Sequence, residues 1–178
     1  VYTIALTEAG QVFSWGMGEN GCLGHGNEQD LHTPKLVEAL QAMRVVGVAA
    51  SVDYSLARTD AGRLFQWGWL NDRAGASQHQ QRFVPTLVTA LQATKVVDMA
   101  AGGSFSLALN EAGRVYSWGY GGVCNALGHA WQPGVPHVHD KISTPTMIAA
   151  LEPHKIVSVK SAGYGLAISE AGRVFSWG

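Results

Sequence analysis

Charged residues are scarce in this sequence of 178 residues. Only 14% of the residues are charged and 47% are hydrophobic, whereas an average soluble domain has roughly 25% charged residues. This composition excludes intrinsic disorder, because the chain can bury enough apolar surface to fold. Twelve Lys and Arg face thirteen Asp and Glu without a basic cluster. The sequence therefore does not favour direct binding of nucleic acid.

Cysteines and long apolar runs are also rare. Cys22 and Cys124 are the two cysteines, and no Asn-x-Ser/Thr sequon occurs. Two cysteines cannot form a disulfide framework, so we expect an intracellular location, cytoplasmic or nuclear. The longest uncharged apolar stretch, residues 45–52, is shorter than the ~18 residues of a membrane span. We therefore predict no segment that crosses a bilayer.

Internal repetition is the strongest feature that is present. The pair Trp-Gly closes four similar phrases, with spacings of 52, 51 and 59 residues. A second repeated phrase starts with a proline 32 or 33 residues before the tryptophan, whereas the distance from tryptophan to the next proline varies from 18 to 27 residues. Insertions therefore fall in one segment, as is typical of variable loops on one face of a repeat array. The tryptophans are Trp15, Trp67, Trp118 and Trp177.

Each repeat predicts β-strands rather than helices. Short apolar runs rich in Val, Ile and aromatic residues are bounded by Gly, Pro or Asp. Their alternation with polar residues is poor, so we expect both faces of each sheet to be buried. The first two strands are separated by residues 7–10, a length suited to a type I turn followed by one residue with positive φ. We predict positive φ at the glycines that fill this position, which are Gly10, Gly62, Gly113 and Gly172.

Four short strands per ~50 residues describe a blade of a β-propeller. The phrase ALTEAGQVFSWG, the loop Asn-Gly-Cys-Leu-Gly-His-Gly at residues 20–26 and the following PKLVEAL resemble the repeat of the regulator of chromosome condensation family. The resemblance implies an all-β fold, an incomplete part of a seven-bladed propeller over residues 1–178. We predict repeat units at 1–52, 53–103 and 104–162, with the start of the next at 163–178. The second copy departs at residues 71–76, where the glycine-leucine loop is missing.

Residues 16–21 match the glycine pattern of a dinucleotide-binding loop, Gly-x-Gly-x-x-Gly. That motif needs a helix whose first turn meets the pyrophosphate. Residues 22–30 contain two further glycines and no helical periodicity. We therefore predict a turn here, and no cofactor.

The long insertion of the third copy, residues 120–143, raises the alternative of a zinc site. It holds Cys124, His129, His137 and His139, and cysteine and histidine are suitable zinc ligands. Because their spacing is unlike that of a zinc finger, we predict an exposed loop without a metal.

Nucleophilic catalysis has no support in the sequence. No Gly-x-Ser-x-Gly elbow is present, and the histidines fall in the variable segments rather than beside a repeated serine. Acidic residues recur, but always in the same turn, which indicates an architectural role. These residues are Glu8, Asp60, Glu111 and Glu170.

The function that remains is a non-catalytic platform for protein–protein interaction, a β-propeller scaffold within a larger protein or assembly. Its candidate partner-binding residues are Trp131, His137 and His139 in the long insertion, and Trp69, which like Trp131 lies outside the repeated Trp-Gly pair. The founding member of the family is a guanine nucleotide exchange factor for the small GTPase Ran. The resemblance therefore implies exchange on a small GTPase as the alternative function. A tryptophan-based photoreceptor, known in this fold, is not favoured, because the repeat uses four of the six tryptophans.

Overall fold

The computed structural model describes residues 1–69, 82–122, 125–129 and 141–178. Within these ranges the chain forms β-strands, turns and single turns of 3-10 helix, and no α-helix. The strands are β1 (Tyr2–Leu6), β2 (Val12–Gly16), β3 (Leu31–Leu36), β4 (Val45–Ala50), β5 (Tyr54–Thr59), β6 (Leu64–Gly68), β7 (Arg82–Leu87), β8 (Val96–Gly102), β9 (Phe105–Asn110), β10 (Val115–Tyr120), β11 (Lys141–Met147), β12 (Ile156–Ser161), β13 (Gly165–Ser169) and β14 (Val174–Trp177). The 3-10 turns are Glu19–Gly21, Glu38–Leu40, Thr89–Leu91 and Ala149–Leu151.

The strands belong to two compact units, each with two antiparallel sheets. Unit 1 contains β1 to β7, in sheets of order β1-β2-β3 and β4-β5-β6-β7. Unit 2 contains β8 to β14, in sheets of order β8-β9-β10-β11 and β12-β13-β14. Neighbours in each sheet are neighbours in sequence, which is the up-and-down order of a propeller blade. The predicted all-β class is confirmed.

The sheets join strands from successive predicted repeat units. Strand β4 ends the unit predicted at 1–52, yet it pairs with β5, with Val48 opposite Ala57. Strand β8 pairs in the same way with β9. The repeat boundaries themselves stay a prediction.

Burial on both faces explains the poor alternation of the strand sequences. All six residues of β9 are buried, and five of the six in β5. Each 3-10 turn after an outer strand adds a buried leucine to the core, a contribution of roughly 1.5–3 kcal/mol. The core of unit 1 comprises Val12, Val37, Leu40, Val45, Ala57 and Trp67. The core of unit 2 includes Phe105, Leu107, Leu109, Leu127, Ile148 and Val159.

The hairpin turns have the geometry predicted for their glycines. The φ angles are +84° at Gly10, +76° at Gly62, +78° at Gly113 and +76° at Gly172. Each glycine N–H donates to the carbonyl oxygen three residues earlier, at 2.8 to 3.0 Å. Positive φ in every copy confirms the turn assignment.

Substitutions at two of these glycines distinguish the cost of positive φ from the cost of a steric clash. A Cβ at Gly113 would lie 2.9 Å from Lys155 Cγ and 3.1 Å from Ile156 N, whereas a Cβ at Gly172 would meet nothing within 4 Å. Gly172→Val is therefore expected to destabilise the protein by about 1–2 kcal/mol through strain alone. Gly113→Val should cost more, because the neighbouring segment must also move. Urea unfolding of both variants measures the difference, and a larger loss at Gly172 would contradict the assignment.

Candidate protein-interaction surface

Two equivalent loops, one in each unit, are fastened to a serine that precedes a repeated tryptophan. In unit 1, Ser14 Oγ donates to Leu23 O at 2.6 Å and lies 2.9 Å from His25 Nε2. In unit 2, Ser117 Oγ donates to Leu127 O at 2.7 Å, and His129 Nε2 lies 2.8 Å away. The single hydroxyl hydrogen goes to the carbonyl oxygen, so the histidine must donate from Nε2.

These serine–histidine pairs correct one expectation from the sequence. The histidines were expected away from any repeated serine, but His25 and His129 both contact one. The pairs are anchors rather than nucleophile and base, because Ser14 is fully buried and the histidine donates to it. The signal in the sequence is the tripeptide Leu-Gly-His, which occurs eight residues after Trp15 and nine after Trp118. His129 therefore belongs to the repeat and not to the inserted part of residues 120–143.

The same loops cover a tryptophan of the next sheet in their unit. Trp67 Nε1 donates to Cys22 O at 2.8 Å, and Trp177 Nε1 donates to Ala126 O at 3.0 Å. In unit 1 the carbonyl of Cys22 also accepts from Ser55 Oγ at 3.0 Å. These bonds hold each loop against two sheets at once, so the surface above the loops is preorganised.

Two further side chains under the unit 1 loop are protected from water. Tyr2 OH donates to Tyr54 O at 2.7 Å and lies 2.7 Å from Ser55 Oγ, and burial raises its pKa. Burial, with a smaller contribution from Asp53, raises the pKa of the Cys22 thiol to about 11. Cys22 Sγ instead donates to Met17 O at 3.2 Å. The thiol is therefore a structural donor, since thiolate is the reactive form.

His25 should make stability depend on pH. Burial, and then the charge of Lys35, lower the pKa of its imidazole, with partial opposition from Ser14 and Glu38. The unfolded chain therefore binds a proton more readily than the folded one. The contribution of neutral His25 to stability is therefore complete above the ordinary histidine pKa of about 6.5, and it is lost as the pH falls from there through the lowered pKa of the folded state.

We expect the unfolding midpoint to decrease when the pH is lowered from about 7.5 to about 5.5. The decrease should be smaller in His25→Gln. Gln can still donate to Ser14 but does not titrate. His32→Gln, which replaces an exposed histidine, is the control and should keep the pH dependence of the unchanged protein. An identical pH profile for all three proteins would contradict this assignment.

The residue after each of the first three Trp-Gly pairs has a large side chain at the loop end of its sheet. The backbone N–H of this residue is bonded in each copy: Met17 to Val1 O at 3.2 Å, Trp69 to Asp53 O at 2.8 Å and Tyr120 to Ser104 O at 2.9 Å. Met17 is 47% exposed, and Trp69 and Tyr120 are half-buried. The repeat thus fixes the backbone while the side chain differs from copy to copy.

In unit 1 the two residues that follow Trp-Gly, Met17 and Trp69, lie beside carboxylates. We define the unit 1 patch as Met17, Glu19, Val52, Asp53 and Trp69. Asn20 Nδ2 donates to Asp53 Oδ1 at 3.2 Å, which joins the segment of Met17 and Glu19 to that of Val52 and Asp53. The bond from Trp69 N to Asp53 O adds the third segment. Val52 is 74% exposed, so the patch displays apolar and acidic groups together.

Of the predicted partner-binding residues, the structure places Trp69 in the unit 1 patch. Trp131, His137 and His139 lie outside the described residues and stay predictions. The segment that matches the dinucleotide pattern forms a single 3-10 turn, Glu19–Gly21, in which Asn20 has φ +61°. Within the described ranges, no three histidine, cysteine or carboxylate side chains are placed to share a metal ion. None of the described helices has the length or apolar character of a membrane span.

Meandering antiparallel sheets, with loops that cap the tryptophan of the next sheet, define a repeat protein of the β-propeller class. The chain belongs to the regulator of chromosome condensation (RCC1) repeat family. The family model matches residues 9–58 and 61–109, and a second RCC1 repeat model matches residues 96–124.

Relatives and solved structures agree with this family. The human E3 ubiquitin-protein ligase HERC2 is 43% identical over 123 residues, which are 68% of this chain and 2% of HERC2. Human WBSCR16 has a TM-score of 0.81 and 28% identity over 99% of this chain and 45% of its own. Prp20p from Saccharomyces cerevisiae, whose structure is described with its binding to Gsp1p and histones, has a TM-score of 0.79 and 26% identity over 99% of this chain and 42% of its own. The chain spans less than half the length of these proteins.

Proposed function

We propose that this chain is a rigid, non-catalytic platform that binds other proteins. The binding surface is the end of each sheet where the variable loop runs from the Trp-Gly pair to the next repeated proline. The observation that carries the proposal is the position after Trp-Gly, which holds Met17, Trp69 and Tyr120. Met17 is exposed, and Trp69 and Tyr120 are half-buried. Methionine and aromatic side chains that are accessible on a preorganised backbone are typical of protein interfaces, because little entropy is lost on binding. We further propose that the platform works within a larger protein or assembly, and an intracellular location stays a prediction.

Site-specific photo-crosslinking tests this proposal. The full-length protein that contains this chain would carry a benzophenone amino acid at Met17 or at Tyr120, with Glu8, an exposed residue of a hairpin turn, as the control position. Discrete protein adducts from Met17 or Tyr120, and few from Glu8, are expected after irradiation of cells. No adducts, or adducts from Glu8 alone, would reject binding through the loop ends.

Guanine nucleotide exchange on a small GTPase is the second candidate function. Its support is the similarity to Prp20p, whose structure is described with its binding to Gsp1p. Release of labelled GDP from a panel of purified small GTPases, with and without the full-length protein, separates the two functions. A platform leaves the release rate unchanged, whereas an exchange factor accelerates it for one GTPase in the panel.

The long insertion gives a further prediction. Trp131 is an aromatic residue that no repeat requires, and two prolines near it reduce the entropy that the loop would lose on binding. Two separate variants should reduce capture of the crosslinked partner. One is Trp131→Ala, and the other is deletion of residues 132–139, which removes His137 and His139. The far-UV spectrum, which reports folding, should not change. Undiminished capture by both variants would place the interface elsewhere.

A further inference from the structure

The unit 1 patch carries an excess of negative charge that its fold does not require. The two segments that form most of it, residues 16–31 and 51–54, contain four carboxylates and no Lys or Arg. Arg82 lies nearby, opposite Gly68. The four carboxylates outnumber this one positive charge. The four carboxylates are Glu19, Glu28, Asp30 and Asp53.

Three of these carboxylates are exposed and Asp53 is half-buried. Asp30 Oδ1 accepts from Gly18 N at 2.8 Å, and Glu28 Oε1 accepts from Asn20 N at 3.1 Å. These bonds fix two of the side chains but leave their charge in place, since backbone N–H groups carry none. Glu19 is exposed. Its charge and that of Asp53 both reach Cys22 under the loop, where they raise the pKa of the thiol.

Unit 2 shows that the fold can do without this charge. At the position of Trp69 it has Tyr120, and the residue whose carbonyl oxygen accepts the bond is Ser104 instead of Asp53. After Tyr120 come two glycines, where unit 1 has Gly18 and Glu19 after Met17. Glu19 and Asp53 are therefore not required by the repeat, which is the distribution expected of a binding determinant.

We propose that the unit 1 patch binds an extended segment of a partner protein in which lysine or arginine alternates with a bulky apolar residue. The proposal rests on the platform function above and specifies the chemistry of its partner. Cations of the segment neutralise Glu19 and Asp53, and its apolar side chains cover Met17 and Val52. Trp69 is half-buried, and the accessible part of its indole adds an aromatic contact for an arginine or lysine.

The test is a fluorescein-labelled peptide of nine residues in which lysine and arginine alternate with leucine and phenylalanine. Its affinity is measured by anisotropy against the unchanged chain and the double variant Glu19→Gln with Asp53→Asn. Asn keeps an oxygen that can accept from Asn20. The matched control, Glu8→Gln with Glu38→Gln, removes the same charge from exposed positions elsewhere in unit 1.

We expect the patch variant to weaken binding about tenfold, the size of one lost charge contact, and the control to weaken it less than about twofold. Met17→Ser with Val52→Ser, which leaves the charge unchanged, should also weaken binding by about fivefold. A peptide with glutamate in place of the basic residues should not bind. Equal losses for the patch variant and the control would indicate non-specific attraction and overturn the proposal, as would absence of binding.

Failure here can be distinguished from failure of the platform function. If Met17 gives protein adducts in cells but the basic peptide does not bind, the surface is an interface and the proposed partner chemistry is wrong. If the peptide binds through the patch, the proposal stands whatever the adducts show at Tyr120. If neither experiment gives binding at Met17, both proposals are wrong for unit 1.

Discussion

Trp67→Ala should lower the free energy of unfolding by about 3–5 kcal/mol, the range for a buried aromatic residue. Trp67 is fully buried and belongs to the core cluster of unit 1. Its removal leaves a cavity and also takes away the indole N–H that bonds Cys22 O. Guanidinium unfolding followed by circular dichroism measures the loss. Because the loop rests on this ring, the variant should also bind the basic peptide more weakly.

Trp67→Phe separates the hydrogen bond from the packing. Phenylalanine keeps most of the apolar contact but cannot donate to Cys22 O, which retains its bond from Ser55 Oγ at 3.0 Å. We expect a loss of about 1–2 kcal/mol from the bond together with the smaller ring. If the two variants lose the same stability, the cavity does not govern the effect and the role assigned to Trp67 is wrong.

The fold could be predicted from the sequence because its determinants are local. A hairpin of fixed length needs one residue with positive φ, and glycine supplies it, so the φ of Gly62 follows from a stretch of a few residues. The Trp-Gly pairs are similarly constrained by register. Trp15 lies opposite Thr3, Trp67 opposite Ser55 and Trp118 opposite Ser106, always next to the residue that pairs with the glycine.

The bonds by which Ser14 and Ser117 hold the loops were not predicted, because the histidines that they contact lie in the segment of variable length. His129 lies eleven residues after Trp118, whereas His25 lies ten after Trp15, and the insertion that follows His129 hides its equivalence to His25. The unit 1 patch depends on a longer separation, since Asn20 and Asp53 are 33 residues apart in sequence. They meet only because the turn between β4 and β5 packs against the loop of the preceding sheet. No local pattern encodes that contact.

Gly24→Ala should cost about 2–4 kcal/mol, which combines backbone strain with overpacking. Gly24 has φ +81°, and a Cβ there would lie 2.7 Å from Trp67 Nε1 and 3.0 Å from its Cδ1. The indole cannot retreat, since the ring is fully buried. The loop must therefore lift, which weakens the bond from Trp67 Nε1 to Cys22 O. A Cβ at Gly128 would lie 2.8 Å from Trp177 Nε1 in unit 2, but Trp177 is only half-buried, so Gly128→Ala should cost less.

Gly26→Ala is the matched control in the same loop. Gly26 has φ +84°, close to that of Gly24, but its Cβ would meet only Val84 Cγ1, at 3.8 Å. The control therefore carries the strain of positive φ without the clash, and we expect it to cost about 1 kcal/mol. Unfolding midpoints of the two variants give the share due to the tryptophan. Equal losses would mean that φ alone requires glycine at position 24, and that the loop does not rest on the indole ring.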